Sequence, residues 1–247
     1  VSLVTGVCIT VLDSFVLLFL LNRGIRKLEA FIISLVLLIG VSFFIQLTIA
    51  KPDLGDVAMG LIPGIANEEA LYIAIGIIGA TVMPHNLYLH SSLVQTRKFN
   101  RNSVDIKKAI RFNVIDSTIA LNLALFVNAA ILILAAASFY NNGVNDVTEI
   151  QDAHRLLEPM LGSTLAPILF AVALIAAGQS STVTGTLAGQ VVMEGYLNLR
   201  LQPWIRRLLT RLIAIVPALL VILIMGEEST GKLLILSQVI LSLQLGF

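Results

Sequence analysis

The sequence predicts an all-α, polytopic transmembrane helical bundle, a single transmembrane domain over residues 1–247. Three observations carry that prediction. The chain is 57% hydrophobic and only 13% charged, about half the charged share of a soluble domain. Its mean hydropathy is +0.93, and the apolar residues fall in runs near the ~20 residues that one membrane-spanning helix needs. None of the ~10-residue segments of alternating polarity that build a membrane β-barrel is seen.

The runs cover roughly 2–21, 30–49, 70–94, 112–138, 164–192, 209–225 and 232–247, and the last is read as incomplete. The chain begins and ends inside apolar segments, "VSLVTGVCIT" and "ILSLQLGF", which predicts a piece of a longer protein. The connections alternate in charge. Residues 22–29, 95–111 and 199–211 hold 13 of the 16 lysines and arginines, so the positive-inside rule makes these three connections cytoplasmic. The connections 50–69, 139–163 and 226–231 carry Asp53, Asp56, Glu68, Glu69, Asp146, Glu149, Asp152, Glu158, Glu227 and Glu228, and face outward. Val1 then lies on the outer side, with an odd number of spans expected before it. The protein is read as a multi-pass protein of the plasma membrane.

Several function classes drop out. A formal net charge of +1 argues against nucleic acid as a partner. The single cysteine, Cys8, leaves no disulfide framework and no thiolate metal cluster. The start of the given sequence does not read as a secretory signal, and with no HExxH pattern an intramembrane zinc protease is not expected. Neither enzyme activity nor a cofactor is expected, and nothing sets the oligomeric state.

One span contradicts its own apolar character. "GATVMPHNLYLH", residues 79–90, places a proline, two histidines, an asparagine and a methionine in a helix that should be continuous. Pro84 lacks an N–H and its ring clashes with the carbonyl one turn back, so the helix opens near residue 80. Gly76 and Gly79 make opening easier. Freed carbonyls cannot stay bare in hydrocarbon and must face a cavity, a neighbour or a ligand. Broken helices at mid-membrane are a common substrate site of secondary transporters, although a plain proline kink would leave the same signature. Met83 brings a thioether to the break, as ligand or as packing. His85 and His90 are ionisable groups inside a span, which marks a functional hypothesis. Thioether and imidazole suit transition metals, whereas calcium and magnesium want oxygen.

Other spans carry polar residues: Asp13 in the first, and Asp116, Asn122 and Asn128 in the fourth, with Asp116 in reach of Arg111 or Arg207. The stretch 178–190, "GQSSTVTGTLAGQ", reads as small-residue helix packing with interhelical hydrogen bonds, or as a polar pathway. Gln238 and Gln244 face the same choice. Trp204 beside Pro203 reads as an interface anchor.

"GATVMPHNLYLHSSLVQTR" resembles the sixth helix of the Nramp family of divalent metal transporters, and "GQSSTVTGTLAGQVVMEGYL" resembles the segment ending that family's eighth helix. "RKLEAF" and "LSQVILSLQL" also fit, so the resemblance covers the whole chain as helices four to ten. It implies an inverted-repeat symporter-type fold with broken first and sixth helices. It also implies import of divalent metals, manganese and ferrous iron among them, together with protons. On this resemblance the Met83 sulfur and the Ala80 carbonyl hold the metal and Gln238, rather than Gln244, joins them. His85 and His90 serve proton coupling or conformational change, and Asn128 matches a polar position of the seventh helix. Gly79 and Pro84 flank the break.

Two departures bear on this. The family's first-helix Asp-Pro-Gly-Asn motif, which supplies a carboxylate and an amide to the metal, is absent from this chain, and Gly246 stands where proline is expected. The chain alone is therefore expected not to transport. Two other readings stay open: a symporter of an organic substrate on the same fold, and a non-transporting membrane scaffold.

Overall fold

The computed structural model describes residues 25–65, 67–95, 102–144, 147, 149–195 and 230–244, with scattered positions between 205 and 226. The side chains of Ile25, Pro84, His85 and Thr230 are not among those described. The expected first span 2–21, most of the span 209–225, Trp204 and Gly246 lie outside the described residues.

The bundle is built from eight α-helices among these residues, with no strand. Helix α1 (Ile25–Ala50) ends where Lys51 turns into the left-handed region, φ 46°, before Pro52. A short helix, α2 (Leu54–Met59), follows, its start capped by Asp53, whose Oδ1 accepts from the Gly55 amide at 2.6 Å. Helix α3 (Glu68–Thr81) starts at Asn67, whose side chain accepts from the Ala70 amide at 2.7 Å. Glu68 and Glu69 in its first turn complement the positive end of the helix. Helix α4 (Pro84–Gln95) follows across two residues. Helix α5 (Ser103–Ser138) is capped by Asn102, which accepts from the Asp105 amide at 2.7 Å and donates to the Asp105 carboxylate at 3.1 Å. Helix α6 (Ile150–Leu161) ends at Gly162, whose φ of 60° suits a residue without a Cβ. Helices α7 (Leu165–Gly195) and α8 (Thr230–Leu243) complete the set.

The expected spans 30–49, 70–94, 112–138 and 164–192, and the described part of 232–247, fall on helices, and among the described residues four stretches are long and apolar enough to cross a bilayer. Two boundaries differ from expectation. At 36 residues α5 is about 54 Å long, well beyond the ~30 Å hydrocarbon core. Its first turns carry Lys107, Lys108 and Arg111, so part of the basic connection 95–111 is helix. The acidic connection 139–163 contains α6, which a search for apolar runs passes over because its apolar residues fill one face only. That face seats Leu157, 1% exposed, and α6 packs on α7.

Packing divides the helices. α1 packs on α5 and α7, and α6 joins through α7 and α5. Phe43, Leu134 and Ala173, from α1, α5 and α7, form a buried cluster with Leu161 of α6 and Phe170 against it. Phe43 and Phe170 meet edge to face, ring centroids 6.5 Å apart. Leu28 and Val183 close the other end of the α1–α7 seam. Outside this seam large apolar side chains such as Phe44, Leu121 and Phe126 are exposed, as lipid-facing side chains are. The remaining principal pairs are α3 with α8 and α4 with α7.

Candidate metal centre

The break in the 70–94 span is present, at Val82 and Met83, just past the expected opening near residue 80. The Val82 amide closes the last turn of α3 by donating to the Ile78 carbonyl at 2.9 Å, and Val82 then leaves helical geometry at φ −108°, ψ 78°. The next backbone bond runs from the Asn86 amide to the Met83 carbonyl at 3.0 Å, inside the first turn of α4. In a continuous helix the Ala80 carbonyl would accept from residue 84, but proline has no N–H to give. That oxygen keeps its lone pairs for something else.

The two halves of the broken span have different partners. α3 lies on α8, and α4, on which Leu89 is buried, lies on α7. Gly79 explains the first contact. A Cβ added there would overlap the Gln238 carbonyl oxygen and lie 2.8 Å from its carbonyl carbon and 3.0 Å from the Ser242 nitrogen. Only a hydrogen at this position lets the two backbones touch. One turn earlier, Gly76 sets the spacing against Ile235 and Val239, each 3.6 Å from a Cβ built there.

This approach brings Gln238 to the residue beside Ala80. Its Nε2 donates to Ser237 Oγ at 3.2 Å, while its Oε1 is buried with no hydrogen-bond partner. A buried amide oxygen without a donor is costly, and a cation would satisfy it. Met83 is half-buried at the break and Ala80 is exposed. The break thus leaves the Ala80 carbonyl without its helical donor three residues before the Met83 thioether, while Gln238 lies on the neighbouring helix with its backbone against Gly79. Among the described residues no three His, Cys, Asp or Glu side chains cluster as a metal site.

The other sequence candidates spread out. His90 lies on α4, exposed, and His85 follows Pro84 into the first turn of that helix. Asn128 is exposed on α5, which packs chiefly on α1 rather than on the α3–α8 pair. Asn122 meets its needs within α5, donating to the Thr118 carbonyl at 2.7 Å. In the 178–190 stretch the threonines do the same: Thr184 donates to the Ser180 carbonyl at 3.1 Å and Thr186 to the Thr182 carbonyl at 2.7 Å. Val183, Thr186 and Ala188 are buried, which fits small-residue packing. Sequence reasoning did not see the Gly79–Gln238 contact. The i, i+3 glycine pair was its signal, since two such glycines on one face invite a close helix.

The model of the Nramp family, natural resistance-associated macrophage protein-like, matches residues 1–247. A divalent metal cation transporter MntH of Nostoc sp. is 56% identical over 100% of this chain and 57% of its own length. The MntH of Xanthomonas campestris pv. campestris is 59% identical over 100% of this chain and 56% of its own. A crystal structure of an Eremococcus coleocola manganese transporter, a point mutant, superposes with a TM-score of 0.82 at 38% identity, covering 98% of this chain and 54% of that one. The same transporter with an aromatic bis-isothiourea compound gives 0.78 at 38% identity, over 98% and 53%. This chain spans about half the length of these relatives. Its helices belong to the inverted-repeat transporter fold of those structures, with α3 and α4 as the two halves of the broken helix. A family model matched along the whole chain, relatives more than half identical and a shared fold around the break make this chain a member of the Nramp family, a family of transporters and not of enzymes.

Proposed function

We propose that this chain forms the greater part of the transport site of a proton-coupled importer of divalent transition metals, manganese and ferrous iron, in the plasma membrane. The carrying observation is the break at Val82–Met83, held by a glycine contact against α8 beside a buried, unpartnered Gln238 Oε1. The metal, as cargo, takes the Met83 sulfur, the Ala80 carbonyl and the Gln238 oxygen. These donors bring no formal charge, so the affinity needs a carboxylate from outside this chain. Sulfur makes the set favour manganese and iron over calcium and magnesium. For an organic substrate the thioether would have no use.

Helix direction supports the orientation. Arg26 and Lys27 at the start of α1 and Lys107, Lys108 and Arg111 at the start of α5 lie at one end of the bundle. Asp53, Glu68, Glu69, Glu149 and Asp152 lie at the other. The basic end is cytoplasmic.

Proton coupling falls to His85 and His90, with Asn128 in the moving parts. Imidazole titrates nearest cellular pH. The test is manganese entry into proteoliposomes holding a full-length protein that carries this segment, read by quenching of a trapped metal-sensitive dye. An inward proton gradient should speed entry, and calcium should not enter. His85→Ala should weaken that acceleration several-fold. No manganese entry would leave the scaffold reading standing, and an unchanged pH profile in the variant would reduce His85 to packing.

A further inference from the structure

The hydrogen bonds within this bundle are mostly short-range in sequence, but Glu149 makes one across 82 residues. It is the N-cap residue of α6, yet its side chain caps nothing on its own helix. Instead its Oε1 accepts from the Gly231 amide at 3.1 Å, in a part-buried setting. Gly231 stands in the first turn of α8, where backbone amides have no helical acceptor and the helix end is positive. A carboxylate is the acceptor that such an end favours.

The position of this bond in the packing gives it a role. α6 is anchored by buried Leu157 on α7 and so belongs to the α1–α5–α7 body. α8 belongs with α3, pressed so close at Gly79 that no side chain fits between them. Glu149 therefore ties one body to the other. Gly231 and Gln238 are seven residues apart, two turns along nearly one face of α8. A shift of the start of α8 along its axis is a shift of Gln238 against the break.

We infer that Glu149 is a positioning residue for transport: its carboxylate seats the N-terminus of α8 and so sets the height of Gln238 at the opened turn. This rests on the proposed metal site. It makes no use of metal contact by Glu149 itself, which sits at the outer end of the bundle.

The experiment is manganese uptake by the full-length protein with Glu149→Ala, Glu149→Gln and each of these combined with Gln238→Ala. Glu149→Ala should raise the half-saturating manganese concentration about tenfold, the low end for a lost hydrogen bond to a charged group, as suits a part-wet site, with a smaller change in maximal rate. Glu149→Gln keeps an acceptor oxygen and should recover most of that loss. In the Gln238→Ala background Glu149→Ala should add little, because what it positions is gone. Additive losses would overturn the inference. So would a Glu149→Gln loss equal to that of Glu149→Ala and abolished by salt, which would make Glu149 an attractor of cations by charge. Wild-type protein without manganese uptake would sink the metal reading itself, whereas wild-type uptake with an unaffected Glu149→Ala would sink only the seat.

Discussion

The α1–α5–α7 body and the α3–α8 pair solve the same problem in opposite ways. The body uses long unbroken helices, 26, 36 and 31 residues, with aromatic and aliphatic side chains between them. Phe43 against Phe170 keeps backbones apart and fills the space. The pair removes a side chain at one point, so that Gly79 meets the Gln238 backbone directly. Filling space makes a seam stable. Removing a side chain brings two backbones into contact, and it does so one residue before Ala80, whose carbonyl the proline leaves without a helical donor. Lipid tails are as apolar as leucine, so neither seam is driven by water, and both rest on close fit. The body buries polar groups too, Ser42, Gln46 and Ser138 among them, and the Gln46 amide oxygen, like that of Gln238, has no hydrogen-bond partner; what differs is that the pair packs at a helix that proline has opened.

A glycine substitution in each region should separate the two most sharply. Gly79→Ala forces a methyl into the Gln238 backbone, where no flexible side chain can swing away. Overpacking of this kind costs about 1–3 kcal/mol or more, and the displacement moves Gln238 from the break. Manganese binding should fall by more than about tenfold, with a lower melting temperature. Gly178→Ala in α7 meets nothing within 4 Å. It should leave binding unchanged and raise helix stability by about 0.5–1 kcal/mol. Thermal unfolding and manganese titration of the two full-length variants decide this, and equal behaviour would mean that the α3–α8 contact does not hold the site.

A second pair of changes crosses stability with selectivity. Phe43→Ala opens a void in the aromatic seam and should cost about 1–2 kcal/mol. That is less than the ~3–5 of a soluble core, since the unfolded side chain still sits in lipid. Its metal preference should be intact. Met83→Ala should do the reverse, with near-normal stability and manganese uptake but competition from calcium and magnesium, because the soft donor that disfavours hard cations is gone. Competition uptake with each ion measures it. Continued exclusion of calcium by Met83→Ala would take the sulfur out of the selectivity role.

The elements of this contrast were unequally legible in the sequence. The spans could be read because twenty apolar residues have few other uses, and the break because proline within a span has a local, stereochemical effect. The partner of each half could not. Nothing local says that α3 goes to α8 while α4 goes to α7, since that depends on which surfaces fit. Helix α6 was hidden for a different reason. It is twelve residues long, polar on one face, and sits in a connection whose acidic residues drew attention to charge and away from period. Glu149 was visible only as one acidic residue among several until the fold brought Gly231 to it.

The smallest expected effect concerns the break alone. Pro84→Ala restores an N–H at residue 84, which in an unbroken helix would donate to the Ala80 carbonyl. That bond competes with the metal for one oxygen. A net hydrogen bond is worth about 1 kcal/mol, roughly fivefold in an equilibrium. The α3 side of the break stays pinned by Gly79 against α8, and Val82 is already out of helical geometry, so the turn has to be rewound for the competing bond to form. Fivefold is therefore an upper value, with folding and expression preserved. Isothermal titration of manganese into the wild-type and Pro84→Ala full-length proteins reads it directly. Identical affinities would show that the turn is held open by its packing on α8 and that the proline is no more than a kink. In that case Gly79→Ala and not Pro84→Ala is the substitution that closes the site.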